Sequence, residues 1–358
     1  MKRLDRYIAR HVIGATLLAW LLVTALDSLF ALLGELGDIG RGRYDLPTAL
    51  VYVLLTVPAK AYQLFPMAAL LGALLGLGAL AAHGELVAIR LGGFSRLRLL
   101  RSVLQSGLLM LLVAVTLGET LAPVAERQAR QLRALAIFDR VAFAGEHGLW
   151  VRDGARFINV GGMDVDGSLA GVFIFEFAPD HRLLSATRAD NAAYTASGWR
   201  LGSLQQSLFD AQAVRTRASA GEPWQTRITP TLVEVLALDP DAMSLGELRG
   251  YIRYLQGNAL DADRYRLAFW ARLATPSSAL VMLALAVGFV LGALRSVGTG
   301  QRLFAGILIG LLFRLMNDLL AQAGLVYGLP PVVSAFSPSA GFMLAAAWLL
   351  RERTGTVR

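Results

Sequence analysis

The sequence predicts an α-helical integral membrane protein with six transmembrane helices and an inserted periplasmic β-jelly-roll domain. Three observations support this fold class: the number and length of the apolar runs, the distribution of basic residues between the loops, and a change of residue period in mid-chain. The chain has 358 residues, of which 55% are hydrophobic and only 17% are charged. Soluble domains carry about 25% charged residues, so much of this chain must face lipid.

Six apolar runs reach the roughly 20 residues that a helix needs to cross a bilayer core. The second run is too long for an upright span, so we expect it to tilt or to extend beyond the bilayer. The first run follows a basic N-terminus without a nearby small-residue cleavage site, which predicts a retained span rather than a signal peptide. The predicted spans cover residues of about 12–34, 48–80, 99–121, 267–291, 302–323 and 331–350.

The basic residues set the predicted orientation. Thirteen Lys or Arg flank the spans on one side, whereas the short loops on the other side hold only Arg41 and Arg43. Cytoplasmic loops are enriched in basic residues, so we expect a multi-pass protein of a bacterial inner membrane with both termini cytoplasmic. The net charge of +8 does not indicate nucleic acid as a partner, because residues 141–264 contain eleven Arg against fifteen Asp or Glu.

Between spans three and four the sequence pattern becomes that of short strands. Two strand-like runs flank Asp153-Gly154, which is typical of a type I′ hairpin, and residues 171–177 form a further predicted strand. Several short strands without an intervening helical period indicate a sandwich or a jelly roll. The predicted domains are residues 1–140 with spans one to three, residues 141–240 as the periplasmic β-jelly roll, and residues 241–358 with a connecting helix and spans four to six.

The sequence contains no pattern for catalysis by this chain. A phosphate-binding Walker A loop needs a lysine within a glycine-rich motif, and the only two lysines, Lys2 and Lys60, lie outside such a motif. The chain lacks cysteine, and its four histidines are scattered singly, so no metal-ligand spacing is present. We therefore expect a non-catalytic subunit that binds no cofactor. A periplasmic enzyme on a membrane anchor is the weaker alternative.

A candidate coupling helix occupies the loop between spans two and three, at about residues 84–95. This amphipathic segment begins near Glu85, contains Arg90 and ends at a glycine pair that includes Gly93, which suits a helix C-cap. It is either a surface helix lying at the headgroups or a helix that docks in a groove of a cytoplasmic ATPase. The residues alone do not separate the two, because interfacial amphipathic helices are common.

Three arginines, Arg127, Arg130 and Arg133, lie three residues apart on the outward extension of span three and so share one helix face. A solvated face paired with Glu126 is one interpretation, and the residues alone slightly favour it. The alternative is a site for an anionic lipid headgroup, in which guanidinium groups bind phosphates bidentately.

Ionisable and small residues also occur inside the predicted spans. Arg314 and Asp318 lie four residues apart in span five, where mutual neutralisation would offset their cost in lipid, and Asp27 in span one has no local partner. Packing between helices is a better explanation than subunit contact for each of the three small-residue pairs: Gly72 with Gly76, Gly288 with Gly292, and Gly306 with Gly310.

Six segments in chain order carry a resemblance to a known family: Phe65-Pro-Met-Ala-Ala-Leu-Leu-Gly-Ala-Leu-Leu-Gly-Leu-Gly78, Glu85-Leu-Val, Gly93-Phe94-Ser95, Ala237-Leu-Asp-Pro-Asp-Ala242, Leu294-Arg-Ser-Val297 and Leu325-Val-Tyr-Gly-Leu-Pro-Pro331. Together they resemble the LptF/LptG family of lipopolysaccharide export permeases, over essentially the whole chain. The span-two motif and the Leu-Val-Tyr-Gly segment favour the LptG branch over the LptF branch.

The resemblance implies a permease subunit of the ABC transporter that extracts lipopolysaccharide from the inner membrane and passes it to a periplasmic bridge toward the outer membrane. The implied partners are an LptF-like permease, two LptB-like ATPase subunits that use ATP and Mg, and an LptC-like membrane-anchored jelly-roll protein. The alternatives are the paralogous LptF role and a mechanotransmitting ABC subunit that does not itself bind the lipid.

The resemblance also implies two sets of site residues. Glu85, Arg90 and Gly93 match the segment that contacts the ATPase. Related permeases carry lysines near the outer end of span one, where this chain has the acidic residues Glu35 and Asp38. Headgroup binding is therefore expected to use nearby arginines or the arginines of span three, and the expected lipopolysaccharide-binding residues are Arg130, Arg133, Arg41 and Arg43.

Overall fold

Six helices of the described chain are long and apolar enough to cross a membrane, which confirms the predicted spans. They come from a computed structural model that describes residues 3–138, 141–142, 148–164, 167–196, 198–210, 213–226, 228, 230, 240–258, 260–292 and 297–351. The spans are Arg3–Asp38, Leu46–Ala82, Arg96–Ile137, Asp263–Leu291, Thr299–Tyr327 and Pro331–Arg351.

The chain divides into two compact units. The membrane unit comprises Met1–Gly34, Val53–Ala125 and Asp263–Arg358, and the sheet unit comprises Glu35–Tyr52 and Glu126–Ala262. The predicted domain boundaries after residues 140 and 240 stay predictions.

Nine α-helices are described. A 3₁₀ turn at Leu36–Asp38 follows the first, and a π-helical turn at Leu117–Leu121 separates the fourth from the fifth. The helices are α1 (Arg3–Glu35), α2 (Leu46–Ala82), α3 (Glu85–Leu91), α4 (Arg96–Thr116), α5 (Ala122–Phe138), α6 (Leu245–Gly257), α7 (Asp263–Leu291), α8 (Thr299–Tyr327) and α9 (Pro331–Arg351).

Helices α2 and α7 form the centre of the membrane unit. In their most apolar windows 78% and 67% of the residues are buried, against 17% in α1 and 17% in α8. The core contains Leu70, Leu74 and Leu77 of α2 and Val287 of α7, all fully buried. Helices α1 and α8 therefore present broad apolar surfaces that this chain does not cover.

Glycines of α2 allow α1 to approach its backbone closely. A Cβ atom at Gly72 would lie 2.2 Å from the Cα atom of Thr16, and one at Gly76 would lie 2.8 Å from the carbonyl oxygen of His11. Both neighbours are main-chain atoms of α1, so no side-chain movement could clear the clash. These contacts agree with the packing interpretation of this small-residue pair.

Ion pairs inside the membrane unit agree with the sequence expectation for Asp27, which has no local partner, and differ from it for Arg314 and Asp318. Asp27 of α1 pairs with Lys60 of α2 at 3.5 Å, a partner that lies 33 residues away and on another helix. Arg314 and Asp318 of α8 are both exposed, and within the described part of the chain no ion pair joins them or engages either one. Their predicted mutual neutralisation is therefore not observed.

The sheet unit contains an antiparallel sheet, which confirms the predicted β insertion between spans three and four. Strands β3, β4 and β5 pair in sequence, and β5 then pairs with β6 along one part and with β7 along another. The strands are β1 (Val141–Ala142), β2 (Leu149–Asp153), β3 (Arg156–Met163), β4 (Leu169–Phe177), β5 (Leu183–Thr195), β6 (Gly198–Leu201), β7 (Ser203–Phe209), β8 (Val214–Ala220) and β9 (Pro223–Trp224).

The hairpin between β2 and β3 is confirmed, but its turn lies one residue later than predicted. Asp153 pairs with Arg156, so the turn residues are Gly154 and Ala155. Gly154 has a φ of 63°, whereas Ala155 is not among the described residues with positive φ. Positive φ at the first turn residue alone is typical of a type II′ turn rather than a type I′ turn.

One face of the sheet forms the core of this unit. Ile158, Val160 and Val172 are buried on alternating positions of their strands. Helix α6 contributes as well: its Tyr254 packs against this core, and the Tyr254 hydroxyl donates a hydrogen bond to the carbonyl oxygen of Arg152 at 3.0 Å. Burial raises the pKa of Tyr254 to about 12, and the charge of Asp153 adds to this shift.

Candidate coupling helix and anion-binding site

Helix α3 lies within the segment predicted to be the coupling helix. It begins at Glu85 and ends at Leu91, and Gly93 follows with a φ of 86°, a left-handed conformation that favours glycine. Ser95 then caps α4, because its hydroxyl accepts a hydrogen bond from the backbone amide of Arg98. The side chain of Arg90 lies outside the described residues.

The side chains of α3 divide into an anchored set and an exposed set. Leu86 is buried in the core of the membrane unit, and the carboxylate of Glu85 accepts a hydrogen bond of 2.7 Å from the hydroxyl of Tyr7 in α1. Val87 and Leu91 are exposed, the latter by 85%. The helix is thus held at its first turn and leaves apolar side chains exposed.

A cavity of about 480 Å³ lies beside α3 within the membrane unit. Its wall is mostly apolar, and Arg96 and Ser95 supply polar groups. An opening of this size can accept a large side chain of a docking protein. It is lined by Ala81, Leu86, Val87, Leu91, Gly93, Phe94, Ser95, Arg96, Val290 and Leu291.

Arg133 forms the centre of the candidate anion site in the sheet unit. Its Nε atom donates to Glu35 at 2.9 Å, and one of its terminal nitrogens donates to Asp38. Its guanidinium carbon lies 6.0 Å from the ring centre of Tyr44 and 5.7 Å from that of Tyr52. The acidic residues Glu35 and Asp38 at the C-terminal end of the first span therefore neutralise Arg133.

Tyr44 connects this cluster to the buried part of the unit. Its side chain is 1% exposed, and its hydroxyl donates a hydrogen bond of 2.9 Å to Glu35. Burial, together with this hydrogen bond to a negative group, raises the pKa of Tyr44. The phenol therefore stays protonated and fixes the position of Glu35.

The other two arginines of the α5 face each pair with a different carboxylate. Arg130 contacts Glu126, one helical turn earlier, at 3.2 Å, as the solvated-face interpretation expected. Arg127 forms an ion pair with Glu247 in the first turn of α6. Arg127 therefore links α5 to the connecting helix α6, whereas Arg133 contacts Glu35 and Asp38.

The loop before α2 carries the two remaining predicted arginines. Arg41 is paired with Asp38 at 2.7 Å and is largely exposed. Arg43 is exposed, and no ion pair involving it occurs among the described residues. The loop itself is fixed by its backbone: the amide of Arg43 donates to the carbonyl oxygen of Ala136 at 2.6 Å, and a Cβ atom at Gly42 would lie 2.5 Å from that same oxygen.

The structure brings Arg133 and Arg41 together through a shared carboxylate, Asp38, a relationship that the sequence did not predict. Sequence reasoning identified Glu35 and Asp38 only as a departure from related permeases. It missed Tyr7 and Tyr44, since an isolated tyrosine has no distinguishing pattern. Arg133, Arg130 and Arg41 are therefore already paired with carboxylates of this chain, and a phosphate would have to compete with those carboxylates for the guanidinium groups.

Comparison with known proteins gives a consistent result over the full length. A family model described as lipopolysaccharide export system permease LptF/LptG matches residues 6–352. The chain is similar to the lipopolysaccharide export system permease protein LptG of Escherichia coli strain K12, with 36% identity over 354 residues that cover 98% of both chains. It is likewise similar to LptG of Haemophilus influenzae, with 33% identity over 352 residues that cover 98% of both chains.

Proposed function

This chain belongs to the LptF/LptG family of lipopolysaccharide export permeases, and from that premise we propose how it works as the LptG-type membrane subunit of the ABC transporter that extracts lipopolysaccharide. The observation that carries this function is similarity along the whole chain, including both the spans and the inserted sheet. Both relatives compared are LptG proteins, which favours this role over the LptF role.

A second, LptF-like permease covers the exposed apolar faces of α1 and α8 in this proposal. Only 17% of the residues in the apolar windows of these two helices are buried by the chain itself. Arg314 and Asp318 add a polar element to the α8 face, and ionisable groups at membrane depth are costly unless a protein partner or a water-filled cavity receives them. These features support pairing between two permeases.

Energy comes from two LptB-like ATPase subunits that use ATP and Mg and lie beneath the two permeases, and one of them docks on α3 of this chain. The exposed Val87 and Leu91, together with the adjoining cavity, give α3 the apolar surface that a helix needs to seat in a groove. Glu85 supplies the polar contact at its start, with Arg90 and Gly93 completing the contact segment. This chain then transmits movement and performs no hydrolysis itself.

The cargo binds through its phosphates at Arg133, Arg130, Arg41 and Arg43. Guanidinium groups suit this role because they match phosphate geometry with paired hydrogen bonds. The excess of Lys and Arg on one side of the spans supports cytoplasmic termini in the bacterial inner membrane, with the sheet in the periplasm, where an LptC-like jelly-roll protein receives the lipid.

Solubilisation of the tagged full-length chain from its own membranes tests this function. We expect a second permease, an ATPase and a single-span jelly-roll protein to co-purify, with lipopolysaccharide identified by mass spectrometry of the extracted lipid. A complex that contains the ATPase but only phospholipid would support a mechanotransmitting subunit. Recovery of the chain alone, without lipopolysaccharide, would contradict the proposal.

A further inference from the structure

Asp38 holds a position from which it can exchange partners. It accepts a hydrogen bond from Arg133 and also pairs with Arg41 at 2.7 Å. It is the last residue of the short 3₁₀ turn that follows α1. If Arg133 turned to another anion, Asp38 would keep Arg41 as a partner, so the exchange would not leave an isolated charge.

Glu35 does not share this freedom. It accepts hydrogen bonds from Arg133 at 2.9 Å and from Tyr44 at 2.9 Å, and Tyr44 is buried. If Glu35 moved away from this position, the buried hydroxyl of Tyr44 would lose its acceptor, which is costly. Of the two carboxylates on Arg133, only Asp38 can leave at small cost.

Exposure also favours exchange at this pair. The side chains of Arg133 and Asp38 are 33% and 22% exposed, so the pair lies at the surface of the chain, where an approaching ligand can reach it and where ion pairs are weak. A phosphate carries at least as much charge as a carboxylate and offers more acceptor oxygens. It can therefore replace Asp38 on the guanidinium while the contact with Glu35 persists.

We propose that Asp38 is a specificity-determining residue that competes internally with phosphate-bearing headgroups for Arg133. With the site empty, Asp38 neutralises the guanidinium. With a headgroup bound, the phosphate takes this place and Asp38 remains paired with Arg41. When the headgroup leaves, the carboxylate returns, which opposes rebinding and favours onward release. This inference rests on the proposed function, since it concerns the same anion site.

A purely structural ion pair predicts a different outcome. If Asp38 only held the loop against α5, its removal would leave headgroup binding unchanged or weaken it. The loop has an independent attachment, because the backbone amide of Arg43 bonds to Ala136 and Gly42 lies against the same carbonyl oxygen. The Asp38→Asn variant should thus retain the loop position and lose only the competing charge.

The experiment measures lipopolysaccharide affinity of the full complex in nanodiscs without nucleotide, for wild type and Asp38→Asn. We expect Asp38→Asn to bind roughly two- to fivefold more tightly, the range that corresponds to a solvent-exposed ion pair, and Asp38→Glu to return toward the wild-type affinity. Asp45→Asn is the matched control: it removes one negative charge from the same loop, and asparagine can still accept from Thr48 at the start of α2.

Two further ligands identify the chemistry that Asp38 opposes. Lipopolysaccharide lacking the lipid A phosphates should bind wild type and Asp38→Asn equally, whereas phosphatidylglycerol tests whether any lipid phosphate suffices. Wild-type binding with unchanged or weaker binding by Asp38→Asn would overturn this inference alone. Failure of the wild-type complex to bind lipopolysaccharide would overturn the proposed function together with it.

Discussion

The hydroxyl of Tyr7 donates a hydrogen bond of 2.7 Å to the carboxylate of Glu85, which joins α1 to the first residue of α3 across 78 residues of sequence. The ring of Tyr7 also contacts that of His11 in a tilted arrangement, with ring centres 4.4 Å apart. The bond is exposed, so it contributes little to stability. The contact instead positions the start of α3 against α1, and under the proposed function it would pass movement of α3 to α1.

Loss of the Tyr7 hydroxyl should weaken coupling without preventing assembly. In Tyr7→Phe we expect the ATPase to associate normally, while lipopolysaccharide released per ATP hydrolysed falls roughly two- to fivefold, in line with the loss of one hydrogen bond. Reconstituted vesicles measure both quantities. Tyr327→Phe, which alters an exposed tyrosine at the end of α8, is the control. Equal coupling ratios in the two variants would disprove the positional role of Tyr7.

Charge reversal at Glu85 should uncouple ATP hydrolysis from transport. Glu85→Lys replaces the docked contact with a repulsive one, at a cost of about 2–5 kcal/mol in the association with the ATPase. Co-purification of the ATPase and lipopolysaccharide export are the measurements. Glu85→Gln separates the causes, because it retains an acceptor for Tyr7 but not the charge. Normal association and export in Glu85→Lys would exclude α3 as the coupling helix.

Reversing Arg130 and Arg133 together should reduce lipid binding. Glu at position 133 would lie beside Glu35 and Asp38, and each charged hydrogen bond lost contributes about 1.5–3 kcal/mol. We expect lower lipopolysaccharide crosslinking and transport with intact assembly, and less harm from single Lys substitutions. The charge-matched control is Arg200→Glu with Arg253→Glu, two exposed arginines elsewhere in the sheet unit. Wild-type crosslinking in the Arg130/Arg133 variant would leave these arginines as a solvated helix face.

An added methyl group at Gly72 should destabilise the membrane unit. The new Cβ atom would lie 2.2 Å from the Cα atom of Thr16, so α1 must move away from α2. Overpacking of this kind costs about 1–3 kcal/mol, and thermal unfolding in detergent should show a lower midpoint for Gly72→Ala. Gly341→Ala in α9 is the control, because its Cβ atom would meet nothing within 4 Å. Identical midpoints would contradict the close approach.

The hydroxyl of Tyr254 should make the sheet unit sensitive to alkali. Its pKa is raised to about 12 from the ordinary value of 10.0, so the folded state holds this proton more tightly than the unfolded state. The contribution is fully present below pH 10 and is lost as the pH rises toward 12. Chemical denaturation of the sheet unit should show this loss in wild type and a smaller loss in Tyr254→Phe. Parallel pH profiles for the two would refute it.

The sequence predicted those features whose signal is local. Apolar runs located all six spans, because about twenty successive residues of a span must all be compatible with the hydrocarbon core of the bilayer. The hairpin at Gly154 and the amphipathic α3 were equally accessible, since a turn or a helix face is determined by a few neighbouring residues. The one-residue error in the hairpin turn arose because a glycine suits either position of a two-residue turn. Gly154 could be the second residue of an Asp-Gly turn or the first residue of a Gly-Ala turn, and the structure shows the latter.

Pairing between distant elements was not accessible in the same way. Asp27 and Lys60 meet because α1 and α2 pack together, and Arg133 meets Asp38 across 95 residues. The spacing of residues along the sequence does not predict such contacts between distant elements. Conversely, the spacing of Arg314 and Asp318 permits a contact across one helical turn, yet they do not form an ion pair. A permitted distance along a helix does not determine which rotamer is adopted.

The attachment of the loop before α2 has a consequence for the evolution of cargo preference. Arg43 holds Ala136 through its backbone amide, and only glycine fits at position 42, where φ is 58° and a Cβ atom would strike the α5 backbone. The side chains at positions 41 and 43 take no part in that attachment. Mutation can thus alter the charge displayed at these two positions while the loop stays in place, so under the proposed function the preference for a headgroup could change without loss of the loop structure.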